Sequence, residues 1–83
     1  MKKETVKVYV KIGGPNPSSE QLTDIAKKAN QYLNTTHNLA NGRIDGKYVI
    51  FDLTRNEFMG SSQDFYVQGI ITGILIEKGI EVI

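Results

Sequence analysis

The 83-residue sequence predicts a small α+β fold, on three observations. Residues Val6, Val8, Val10 and Ile12 alternate with Lys7, Tyr9 and Lys11, the period of a half-buried strand. Leu22, Ile25, Ala26, Ala29, Tyr32 and Leu33 recur at helical spacing. Lys47–Leu53 is a second run dense in β-branched and aromatic residues.

Taken in order, the first strand spans Val6–Ile12. It is stopped by Gly13-Gly14-Pro15-Asn16-Pro17, where each proline pushes its predecessor out of helical space. Ser18 followed by Gln21 has the spacing of a capping box, so a helix is expected from about Ser19 to Asn34. The Asn/Thr-rich stretch 34–38 ends it, because these side chains compete for backbone hydrogen bonds. A weak strand over His37–Ile44 then pairs with the strong one at 47–53 through an Asp45-Gly46 hairpin turn. Ser61 or Ser62 caps a second helix, with Phe65, Val67, Ile70, Ile71, Ile74 and Leu75 near one face and Gly79 as its stop. Gly69, Gly73 and the β-branched content oppose that helix, so a strand pair is the alternative. Gly69 and Gly73 are read as letting the helix approach the sheet closely. Ile80–Ile83 closes the chain as a short strand. The predicted architecture is a two-layer sandwich of order β-α-β-β-α-β, the split βαβ or ferredoxin-like arrangement, with both helices on one face of a four-stranded sheet.

Composition narrows the function. A chain this short holds one core and one domain, residues 1–83. It has no cysteine, which excludes disulfides and thiolate metal sites and makes self-association a source of extra stability. The basic start is followed by alternating residues, not the apolar run of a secretory signal, and Phe65–Ile76 is too short to span a bilayer. A cytoplasmic location is expected. Net charge is +1, but residues 1–47 carry eight Lys/Arg against four Asp/Glu and residues 48–83 two against five. That asymmetry falls short of the basic excess of a duplex-binding domain.

No catalytic or metal-binding set is legible, and no cofactor is expected. His37 is the only histidine, in a loop-forming context without a nucleophile or a second ligand. Asp52, Glu57 and Asp64 are read as solvated carboxylates. Gly13-Gly14 lacks the lysine and Ser/Thr of a phosphate-binding loop. What remains is a surface. If Val8, Val10, Val49 and Phe51 face the helices, then Lys7, Tyr9, Lys11, Tyr48 and Ile50 lie together on the opposite face. Tyrosines among lysines suit a protein or homodimer contact, or stacking of single-stranded bases.

The segment Tyr48-Val49-Ile50-Phe51-Asp52-Leu53-Thr54, with Glu57-Phe58-Met59-Gly60-Ser61-Ser62 after it, resembles the core of STAS domains, the anti-sigma-factor antagonist family, over about residues 47–83. The resemblance implies a βαβαβ sheet as an alternative fold, a protein partner, and phosphorylation at the position matched by Ser62. Gly60 stands where that family has Asp, and Gln63 where it has Gly. Read without the resemblance, Ser61 and Ser62 cap a helix. The expected function is a non-catalytic regulatory module that binds another protein or itself, with single-stranded nucleic-acid binding as the alternative.

Overall fold

The computed structural model describes residues 3–33, 36–56 and 61–83, with side chains from residue 64 in the last segment. The elements are β1 (Lys3–Lys11), α1 (Ser19–Tyr32), β2 (Asn38–Asp45), β3 (Tyr48–Asn56) and α2 (Ser61–Glu77). The sheet has the order β1-β3-β2, and both pairings are antiparallel.

This corrects the four-stranded β-α-β-β-α-β sandwich, and the βαβαβ alternative as well, since α1 is followed by two consecutive strands. The segment expected as a fourth strand contributes one bridge, Ile12 to Val82, flanked by Gly13 N–H to Glu81 O at 3.0 Å and Ile83 N–H to Lys11 O at 3.1 Å. The reason lies in β1. It ends at Lys11 and the Gly13-Gly14-Pro15 break turns the chain away, so only its last residues meet the segment that α2 delivers.

The strand alternation sets the layers. Val8 and Val10 of β1, Ile12 just after it, and Val49, Phe51 and Leu53 of β3 are buried with Leu39 beneath the helices. Leu22, Ile25, Ala26 and Ala29 of α1 and Val67, Ile71, Ile74 and Leu75 of α2 complete this core. Fully burying a side chain of this kind stabilises by roughly 1.5–3 kcal/mol, which is why α2 is helical despite its glycines and β-branched residues. The strand-pair alternative for this segment is thereby overturned.

Local signals explain the element ends. At Ser18 the capping box is complete: its Oγ accepts from Gln21 N–H at 3.1 Å, and its own N–H donates to Gln21 Oε1 at 2.9 Å. α2 ends in a Schellman motif, with Gly79 at φ +81° and Ile80 N–H donating to Leu75 O at 2.9 Å. The hairpin loop is Gly46-Lys47, one residue later than expected. Gly46 takes φ +61° and Asp45 pairs with Tyr48, the pattern of a type II′ turn, whose twist matches the flanking strands. Ion pairs join the helices at one end, Lys28–Glu77 at 3.0 Å and Lys78–Asp24 at 2.6 Å. The Lys78 contact holds the Asp24 carboxyl below its ordinary range, and the Glu77 hydrogen bond raises Lys28 against the opposing effect of desolvation.

β2 carries a bulge between Ala40 and Arg43, where two residues oppose Phe51. Asn41 adopts φ 55° there, and a Cβ on Gly42 would lie 2.6 Å from the Phe51 ring and 3.1 Å from Leu22 Cβ. The space left by the missing Cβ of Gly42 and the left-handed backbone at Asn41 together seat the Phe51 ring under the bulge.

Candidate functional site

The sheet face turned away from the helices gathers the residues singled out in the sequence. Ile12 N–H donates to Lys47 O, which fixes the β1–β3 hydrogen-bonding phase: with the observed register, even-numbered residues of β1 bond to β3. Odd-numbered residues then place their side chains on the open face and their N–H and C=O groups along the outer edge. Lys7, Tyr9 and Lys11 therefore share this face with Tyr48 and Ile50.

Tyr9 and Tyr48 are half-exposed and meet edge to face, ring centroids 6.1 Å apart, a favoured aromatic geometry. Ile50 departs from its expected role. It is only 5% exposed, set between its cross-strand partners Tyr9 and Arg43, so it supports the face without offering contact surface. Arg43 reaches Asp52 at 3.2 Å, and Asn41 Nδ2 donates to the same carboxylate at 3.4 Å. Asp52 is thus compensated, leaving Lys7 and Lys11 as the charges beside the tyrosines on β1.

The two edges of the sheet differ. On β2, the Asn30 side chain of α1 occupies the outer edge at Leu39: Nδ2 donates to Leu39 O at 2.9 Å and Oδ1 accepts from Leu39 N–H at 2.8 Å. One amide side chain thereby replaces a strand partner at both backbone groups. Asn30→Ala is expected to cost about 1–3 kcal/mol, because Leu39 loses both partners in a half-buried setting; urea unfolding measures it.

On β1, Gln68 Nε2 donates to Tyr9 O at 2.6 Å and the C-terminal residues cover Lys11 O. The outward backbone groups of Thr5 and Lys7, and the Tyr9 N–H, have no partner among the described residues. Beside them lies a cleft of about 140 Å³ between β1 and α2, lined by Lys7, Val8, Tyr9, Asp64, Phe65 and Gln68. Phe65 had been expected on the buried face of α2, yet it is 72% exposed and stands at the mouth of this cleft.

Opposite Glu4 at the other end of β1, the central strand β3 carries an arginine absent from the sequence expectations. Arg55 has a side chain only 8% exposed and follows Val49, Phe51 and Leu53 on the helix-facing side of β3. Its guanidinium grips Asp64 with both branches, Nε to Oδ1 at 2.7 Å and Nη2 to Oδ2 at 3.2 Å, and also pairs with Glu4. The Asp64 hydrogen bond raises the Arg55 pKa, against desolvation, and Glu4 adds to the rise. Asp64, expected to be a solvated carboxylate, instead ties α2 to the sheet.

The remaining candidates hold no shared site. His37 is buried, with Nδ1 3.0 Å from Thr36 Oγ1. Among the described residues no group of three His, Asp or Glu side chains could hold a metal ion, and no helix is long and apolar enough to cross a membrane. Ser61 is the first residue of α2; the side chains of Ser61 and Ser62, on which capping and modification depend, lie outside the described residues, as do residues 57–60 of the STAS-like stretch. Compared with protein-family models, curated proteins and solved structures, the chain matches none of them.

Proposed function

We propose that this chain is a non-catalytic interaction module that takes an extended acidic segment of another protein as an added strand on the outer edge of β1. The observation behind this reading is the regular open stretch of β1, Thr5, Lys7 and the Tyr9 N–H, whereas the β2 edge is capped by Asn30 at Leu39 and broken by the bulge between Ala40 and Arg43. An unpaired edge is a template for a further strand, with backbone hydrogen bonds supplying affinity and side-chain pockets specificity. Lys7 and Lys11 flank that edge on the open face, so an incoming strand with Asp or Glu at alternate positions is favoured over a second copy of β1, whose lysines would repel. The cleft beside Phe65 can take an apolar side chain from the same segment. A cytoplasmic setting belongs to this proposal.

The test is a titration of isotopically labelled protein with a peptide of alternating Glu and Val, followed by amide chemical shifts. Shifts are expected at Thr5, Lys7 and Tyr9, weakening with salt and abolished by Lys7→Glu. Shifts confined to β2, or none at low salt, would refute the assignment. The half-exposed Tyr9–Tyr48 pair between Lys7 and Lys11 favours a second reading, single-stranded nucleic-acid binding by stacking. Salt-sensitive binding of oligothymidylate that is lost in Tyr9→Ala, with no response to the peptide, would select it instead.

A further inference from the structure

α2 is apolar on more than its buried side. Opposite the core it presents Tyr66 at 60% and Ile76 at 61% exposure, with exposed Gly69 and Gly73 between them. The glycines were expected to serve close packing on the sheet. They do not: a Cβ built on either meets nothing within 4 Å, so nothing among the described residues requires glycine there. The large-small-small-large order 66, 69, 73, 76 has spacings of three, four and three residues, which read the same in both directions.

A surface with that symmetry is self-complementary across a two-fold axis, as an isologous interface must be. We propose that the outer face of α2 pairs antiparallel with α2 of a second copy of this chain. The axis passes at the level of Ile71. Gly69 of each copy lies over Gly73 of the other, where the backbones cross closely, and Tyr66 lies over Ile76 where the helices diverge. Phe65, Tyr66 and Ile76 together expose on the order of 400 Å² of side chain. With the backbone around the glycines, a symmetric pair covers about 1,000 Å² in total, the lower bound of a specific interface. Among the described residues no charge blocks the contact: Asp64 is held by Arg55 and Glu77 by Lys28, and the two helix dipoles oppose each other favourably. This pairing leaves the outward backbone groups of β1 open and shares only Phe65 with the cleft of the function proposed above.

Sedimentation equilibrium between about 10 µM and 1 mM, the range such a small interface implies, is expected to show reversible dimerisation. Gly69→Ala with Gly73→Ala should raise the monomer's Tm by about 8 °C, since alanine is the better helix former, yet raise the dimer Kd tenfold or more. Tyr66→Glu should abolish association. Because the chain lacks cysteine, an equimolar mixture of Gly69→Cys and Gly73→Cys should oxidise mainly to the mixed disulfide. A strict monomer at about 1 mM, a dimer indifferent to both the alanine pair and Tyr66→Glu, or a preference for like-with-like disulfides would overturn the proposal.

Discussion

Replacing Gly42 with alanine is expected to destabilise the protein by about 1–3 kcal/mol, the range for overpacking a filled core, and so to lower Tm by roughly 5–20 °C. The added methyl would sit 2.6 Å from Phe51 Cε1 and 3.1 Å from Leu22 Cβ. Neither neighbour is the end of a flexible chain: Phe51 is fully buried, and a Cβ moves only with its backbone. Relief therefore requires α1 to lift or the bulge in β2 to reopen. The clash should couple to the ring itself. In a Phe51→Leu background, which removes the atom in conflict, the further cost of Gly42→Ala should fall by at least about 1 kcal/mol. Strictly additive losses in urea unfolding would show that the ring and the bulge are not in contact.

The second large effect concerns Arg55, and its size depends on which partner is removed. Asp64→Ala should cost about 2–3 kcal/mol, somewhat below the roughly 3–5 kcal/mol of a wholly enclosed pair, because Asp64 is itself 28% exposed. The loss leaves a guanidinium that is 8% exposed with Glu4 as its single carboxylate. Arg55→Met should cost only about 1 kcal/mol: methionine refills the space of the stem, while Glu4 and Asp64 can rehydrate. Thermal unfolding of the two variants side by side measures the asymmetry. Equal losses would mean that the arginine is held by packing of its stem rather than by the ion pairs.

Much of the scaffold could be read in the residues because local and tertiary preferences agree there. The alternation from Val6 to Ile12 and the Ser18–Gln21 box appear in the structure where their spacing places them. The same alternation set Lys7, Tyr9, Lys11 and Tyr48 on one face. Elsewhere local preference and packing part company. Ile80–Ile83 has the composition of a strand, but strand length depends on the edge it meets, and β1 offers only its end. Gly69 and Gly73 argue against a helix that burial of Val67, Ile71, Ile74 and Leu75 nevertheless imposes. Gly42 and Asn30 matter through contacts that no spacing rule encodes. Arg55 was within reach, since it continues the odd-numbered series of Val49, Phe51 and Leu53; a charged residue in a core-facing position signals a buried ion pair.

The open β1 edge is the feature on which the functional reading turns, and amide hydrogen exchange along β1 tests it most directly. In the free protein Val6, Val8 and Val10, bonded to β3, should exchange slowly, while Thr5, Lys7 and Tyr9 exchange near the rate of exposed amides; Leu39 on the opposite edge should be protected by Asn30. Addition of the alternating Glu/Val peptide should slow Thr5, Lys7 and Tyr9 selectively. Uniform protection along β1 in the free protein, or unchanged exchange of those three amides at saturating peptide, would contradict the account.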